Sequence, residues 1–173
     1  MKEEKIKVRR ITSFKKGEKI FSSTGVSKLK ITVDGVVEII EIPICSTGIT
    51  EIIESFSKNA PQPPVANIKV EPGTDMARDF GLTKKNWVKI PDYSDANYIK
   101  EKEKYDAKLG MTIMATGIAA EFLDEAGNKI TDPDSISEIL KSQGLSAEHF
   151  GQLVTDITNL TKWTEEEREN FLG

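Results

Sequence analysis

Few residues in this chain could do chemistry. His149 is the only histidine and Cys45 the only cysteine. Zinc ligation and Ser/His or Cys/His nucleophilic catalysis must therefore all route through one imidazole. His149 falls in the first turn of an expected helix, beside Phe150 and far in sequence from Cys45. A histidine there is usually an exposed or capping side chain. No sequence neighbour of Cys45 is placed to lower its pKa. It sits in the run Ile42-Pro43-Ile44-Cys45, where a thiol behaves as a small buried hydrophobe. A lone cysteine makes no internal disulfide, which is a cytosolic signature.

Phosphate and metal motifs fare no better. Neither G-x-x-x-x-G-K-[ST] nor G-x-G-x-x-G occurs, and Gly25-Val26-Ser27-Lys28 lacks the leading glycine and the preceding strand. Asp124 to Asp134 superficially resembles a calcium loop, but it has no oxygen donor at the third position, no central glycine and no closing glutamate. A turn followed by a helix cap accounts for it. With 28 acidic residues, some pair must look catalytic by chance. Glu38 with Glu41 fits a solvated strand face, and Glu165 to Glu167 fits a helix N-terminus whose dipole favours negative charge. No catalytic residue, no metal ligand set and no cofactor is expected.

The charge distribution offers the main alternative to a purely protein-binding role. Residues 1–19 hold eight Lys/Arg against three Asp/Glu, whereas residues 121–173 hold four against twelve, within a net charge of -4. Lys5, Lys7, Arg9, Arg10, Lys15, Lys16 and Lys19 could neutralise phosphates, with Phe14 and Phe21 able to stack on bases. A nucleic-acid-binding or regulatory protein using this basic segment is the second reading. A solvated arm explains the same residues without a reading motif, so nucleic acid is the disfavoured partner.

The elements that must position these residues divide the chain at proline. A basic arm opens it, reading as a short strand over Ile6-Lys7-Val8 and a turn at Lys15-Lys16-Gly17-Glu18. Leu29, Ile31 and Val33 then alternate with polar residues, Asp34-Gly35 supplies a two-residue turn, and Val36 to Ile42 returns, predicting a β-hairpin that Pro43 ends. Ile49, Ile52, Ile53 and Phe56 fall at helical spacing after a cap at Ser46 or Thr47, and this helix is expected to pack on the hairpin. Pro61-Gln62-Pro63-Pro64 breaks the pattern, and the stretch to Tyr93, with a turn at Glu71-Pro72-Gly73-Thr74, reads as an irregular, extended connection.

From Ser94 or Asp95 a long helix is predicted to about Leu123, with a stripe of Tyr98, Lys102, Tyr105, Leu109, Ile113, Thr116 and Ala120, and with Gly110 and Gly117 as possible kinks. Asp132-Pro133 caps a helix over Ile136, Ile139 and Leu140 that ends at Gly144. Ser146 caps another carrying Phe150, Leu153, Val154, Ile157 and Leu160. Thr164 and Glu167 form a capping box for a last helix. The fold class is α+β: an N-terminal β-hairpin-based sheet with one packed helix over residues 1–58, a proline-rich extended connection over 59–93, and a C-terminal helical region over 94–173.

Composition agrees with a folded chain: 38% hydrophobic and 30% charged over 173 residues. No apolar run reaches the roughly 18 residues that span a bilayer, and the first ten residues lack the apolar stretch of a signal peptide. No membrane partner is expected.

Pro61-Gln62-Pro63-Pro64, then Trp87-Val88-Lys89-Ile90-Pro91-Asp92-Tyr93, then Asp95-Ala96-Asn97-Tyr98 opening a long helix resembles the tail assembly chaperone group of long-tailed bacteriophages and prophages. The hairpin, the short helix after it and the acidic helical tail extend the likeness over residues 28–160. The basic first 25 residues have no counterpart in that pattern. The resemblance implies a non-enzymatic protein of the bacterial host cytoplasm that acts by protein–protein contact. Its partners would be the tape-measure and tail-tube proteins, or copies of itself. Separate basic and acidic surfaces suit such association. Aromatic residues are enriched at binding hot spots, so Trp87, Tyr93, Tyr98 and Trp163 are the candidate contact residues.

Overall fold

Asp34 and Gly35 both take positive φ, 50° and 80°, and so form the two-residue turn whose twist matches the strands it joins. Around it, β1 (Thr24–Val33) pairs antiparallel with β2 (Val36–Cys45), with Val33 opposite Val36 and Thr24 opposite Cys45. The computed structural model describes residues 10–16, 18 and 20–162. Pro43 does not end β2 as expected. It lies within the strand opposite Val26, and its carbonyl accepts from the Ala119 N–H at 2.8 Å, so the missing Pro43 donor faces away from β1 and costs the ladder nothing.

The first helix, α1 (Ile49–Ser57), begins on Gly48 at φ 78°, with no side-chain cap. The expected caps are used elsewhere. Ser46 Oγ accepts from the Ser23 N–H at 2.8 Å and the Thr47 hydroxyl meets that of Ser22 at 2.6 Å, fastening the chain ahead of β1. α1 packs chiefly on α3 (Ala96–Gly117), where Phe56 meets Tyr105 edge to face at 5.7 Å. The helix lying along β1 is α5 (Ala147–Asn159), capped by Ser146 as the sequence predicts. Long-range partner choice of this kind leaves no local mark in the sequence.

The stretch expected to be an irregular connection holds a second antiparallel pair, β3 (Val65–Val70) with β4 (Asn86–Pro91), and between them α2 (Asp75–Asp79). Residues 60–64 lack regular structure, in line with their prolines, as do residues 71–74 and 80–85 on either side of α2. Ala66, Ile68 and Val70 share one face of this pair with Ile90 and Val88, and both Val70 and Ala77 of α2 are buried. Thr74 caps α2 by accepting from the Ala77 N–H, directly after the predicted turn.

α3 is one helix, opened by Asp95 accepting from the Tyr98 N–H at 2.8 Å. It stops at Gly117 rather than near Leu123, because Ile118 turns extended and bridges Ile44 of β2. A small hairpin follows, β5 (Phe122–Leu123) with β6 (Lys129–Ile130), closed by Asp124, whose carboxylate accepts from the Ala126 and Asn128 N–H groups. α4 (Pro133–Ser142) starts on the Asp132-Pro133 cap. Gly110 and Gly117 do not divide α3, and they admit α5. A Cβ on Gly110 would lie 2.7 Å from the Phe150 ring, and one on Gly117 would meet Ile157. The main core joins Leu29 and Ile44 of the hairpin, Ile49 of α1, Ile113 and Met114 of α3, Ile136 and Leu140 of α4, and Leu153 and Ile157 of α5. The class is α+β. The expected last helix and Trp163 lie outside the described residues.

Candidate functional site

The reactive side chains singled out in the sequence are built into the scaffold. His149 Nε2 lies 2.8 Å from the Lys30 carbonyl, which can only accept, so Nε2 carries the proton. Nδ1 in turn accepts from the Ser146 N–H at 3.3 Å. Both ring nitrogens are thus spent on capping α5 and tying it to β1. One and two turns along the helix, Gln152 Nε2 donates to the Lys28 carbonyl at 2.8 Å, and Asp156 accepts from the fully buried Ser27 hydroxyl at 2.6 Å. This polar seam satisfies the outer edge of β1. It borders a groove of about 1020 Å3 whose walls include Phe21, Ser46, Gly48, Asn159 and Leu160.

Cys45 is half-buried, with its sulfur 3.9 Å from the Thr116 carbonyl. Glu38 and Glu41 stand at odd spacing along β2 and so project from opposite faces, which prevents them acting on one bond. Glu41 instead pairs with Lys28 at 3.1 Å. Hydrogen bonds from Asn128, first its side chain and then its backbone, hold the Asp124 carboxyl below its ordinary range, and the Ser135 backbone and hydroxyl do the same for Asp132. These are turn and cap roles. Among the described residues, no cluster of three His, Cys, Asp or Glu side chains could hold a metal ion.

The aromatic candidates lie elsewhere. Trp87 and Lys69 stand opposite one another on the face of the β3–β4 pair turned away from Ile68 and Val70, with Asn67 and Lys89 next along and Val65 opposite Pro91 at the far end. Beyond that end, Tyr93 meets Tyr98 edge to face at 6.0 Å. Asp92 fixes this corner by accepting from the Ser94 hydroxyl and N–H, bonds that also lower its pKa. The structure therefore brings Tyr93 and Tyr98 together and sets Trp87 at the other end of β4. Trp87 is 63% exposed and Tyr93 66%, whereas Tyr98 is half-buried. Val65 and Phe80 add exposed apolar surface to the same lobe.

The basic segment lies mostly outside the described residues. Within them Arg10, Lys15 and Lys16 are exposed, while Phe14 and Phe21 stack on each other at 6.3 Å. The distal part of the β1–β2 hairpin was not among the sequence candidates. Its Val36, Val37, Ile39 and Ile40 are all exposed. The signal was there: Val36-Val37-Glu38-Ile39-Ile40 puts apolar residues at both parities, so both faces of the strand are apolar.

No family model matches the chain, and no curated protein and no solved structure matches it either. No described helix is long and apolar enough to cross a membrane.

Proposed function

We propose that this chain is a non-enzymatic tail-assembly chaperone or tail accessory protein of a bacteriophage or prophage. On this reading it works in the host cytoplasm by contact with the tape-measure or tail-tube protein. The supporting observation is the exposure of Trp87 and Tyr93, 63% and 66%, on one small lobe. Large aromatic rings are the side chains most enriched among residues whose truncation weakens protein–protein binding. Tyr98 orders the ring of Tyr93 beforehand, which lowers the entropy cost of docking. Lys69 and Lys89 frame Trp87 with positive charge, suiting a client whose apolar patch has an acidic border.

Co-expression with a phage tail-tube protein and a tape-measure protein, followed by affinity capture and sizing, tests the reading. One of the two is expected to co-purify and to stay bound at moderate salt, as apolar contact should. If neither does, and the chain instead retains nucleic acid released steeply by salt, the reading fails.

A further inference from the structure

Phe14 and Phe21 are the most exposed large apolar side chains among the described residues, at 74% and 84%, and their rings stack on each other 6.3 Å apart. The pair stands as one apolar knob. Arg10, Lys15 and Lys16, on the same stretch of chain, are exposed as well. Such a knob beside positive charge fits an acidic segment that carries apolar side chains. The chain just after the knob is fixed in place, since the Ser22 hydroxyl meets that of Thr47 and the Ser23 N–H donates to Ser46. Phe21 lines its groove together with Asn159, Leu160, Thr161 and Lys162. This second stretch is also held. A Cβ on Gly25 would lie 3.2 Å from Leu160 Cδ2, and the Lys162 N–H donates back to the Asn159 carbonyl at 3.1 Å. Whatever follows Lys162 therefore starts from the wall of the groove, one Cα step of about 3.8 Å further on. Residues 163–173 follow, outside the described ones, and hold Trp163, Phe171 and Leu172 among four glutamates and one arginine. Residues 10–19 hold the opposite balance, four Lys/Arg and one glutamate.

We propose that residues 163–173 of the same chain dock on the Phe14–Phe21 knob, with Trp163 against the rings and Glu165, Glu166 and Glu167 toward Arg10, Lys15 and Lys16. The contact withholds the basic segment from polyanions. The tether selects this occupant over a separate acidic partner. A segment joined so closely to its site is present at an effective concentration of about millimolar, above that of a free partner at micromolar levels. The groove itself directs which residues go where. Glu18, Glu51 and Asp156 line it, and their carboxylates repel the glutamates from its floor. That leaves the glutamates the basic flank, while the uncharged indole takes the apolar rim at Phe21.

The knob and the Trp87 lobe share no residue, so this contact and the client contact are tested apart. Trp87→Phe leaves Trp163 as the only tryptophan, and its fluorescence reads the docking directly. In that full-length chain the indole is expected to emit to the blue of its position in urea and to be shielded from acrylamide, equally across the micromolar range. Adding Phe14→Ser and Phe21→Ser should remove the shielding and leave the circular dichroism spectrum unchanged, because both rings are exposed. An indole as open to acrylamide as in urea overturns the proposal. So does shielding that survives loss of both rings, or that grows with protein concentration as docking from a second copy requires. Binding of a labelled oligothymidine at low salt reads the consequence. Glu165→Gln/Glu166→Gln/Glu167→Gln in the otherwise wild-type chain is expected to bind at least about tenfold tighter than wild type. Glu101→Gln/Glu103→Gln/Glu121→Gln makes the same change in net charge at exposed positions elsewhere and should bind as wild type does. Equal binding by the two triple variants overturns the withholding of the basic segment.

Discussion

Gly117→Ala pits two effects of opposite sign against each other. Replacing glycine by alanine in a helix ordinarily stabilises by up to about 1 kcal/mol. At Gly117, however, the new Cβ would lie at or within 3.0 Å of three carbons of Ile157. All three belong to one branched side chain that is fully buried, so rotating one branch away moves another into the same place. Overpacking of a tight core costs about 1–3 kcal/mol, and the triple contact argues for the upper end. The net expectation is a loss of about 2 kcal/mol, or about 4–8 °C in Tm for a chain of this size. Gly151→Ala is the matched control. It lies in α5 with nothing within 4 Å of the new Cβ, so it should raise stability by up to about 1 kcal/mol. Urea denaturation of both variants, with Gly117→Ala also made together with Ile157→Ala, reads the signs. The double variant should be less destabilised than the sum of the singles. If Gly117→Ala raises the midpoint as Gly151→Ala does, the close α3–α5 approach is refuted.

Two further outcomes follow from the caps and the β1 seam. Asp92, Asp124 and Asp132 all have carboxyl pKa values lowered in the folded chain by turn and cap hydrogen bonds. Their stabilisation is therefore complete above the ordinary aspartate value of 3.8 and is lost as pH falls through their lower folded values. In Asp132→Asn, thermal melts should show a shallower loss of stability in that acid window than the wild type. His149→Ala loses both the bond to the Lys30 carbonyl and the acceptor for the Ser146 N–H, so chemical denaturation should show a loss of about 1–2 kcal/mol. Client capture by that variant should be unchanged, since the imidazole has only a scaffold role.

What could be read ahead of the structure was local. Asp34-Gly35 fixes a turn through its backbone dihedrals, Asp132 and Ser146 fix helix starts through side-chain caps a few residues long, and each stands where the residues place it. The β3–β4 pair escaped notice because its strands are separated by residues 71–85, including a helix, so no short turn signal joins them. Gly110 and Gly117 looked like helix breakers because the ring and branched side chain they accommodate arrive from α5, about forty residues later. For the same reason α1 was expected against the hairpin and lies chiefly against α3. Of the contact residues, Tyr93 and Tyr98 were close enough in sequence to suggest their pairing. The outward face of Trp87 depended on the β3 partner that the sequence did not disclose.

The most direct test of a contact role is side-by-side capture of the tape-measure or tail-tube protein by wild-type chain and by Trp87→Ala. Truncating a hot-spot aromatic weakens binding by at least about tenfold, and a side chain 63% exposed contributes little to the fold. Capture should fall by that factor with an unchanged Tm. Equal capture by both proteins would contradict the account.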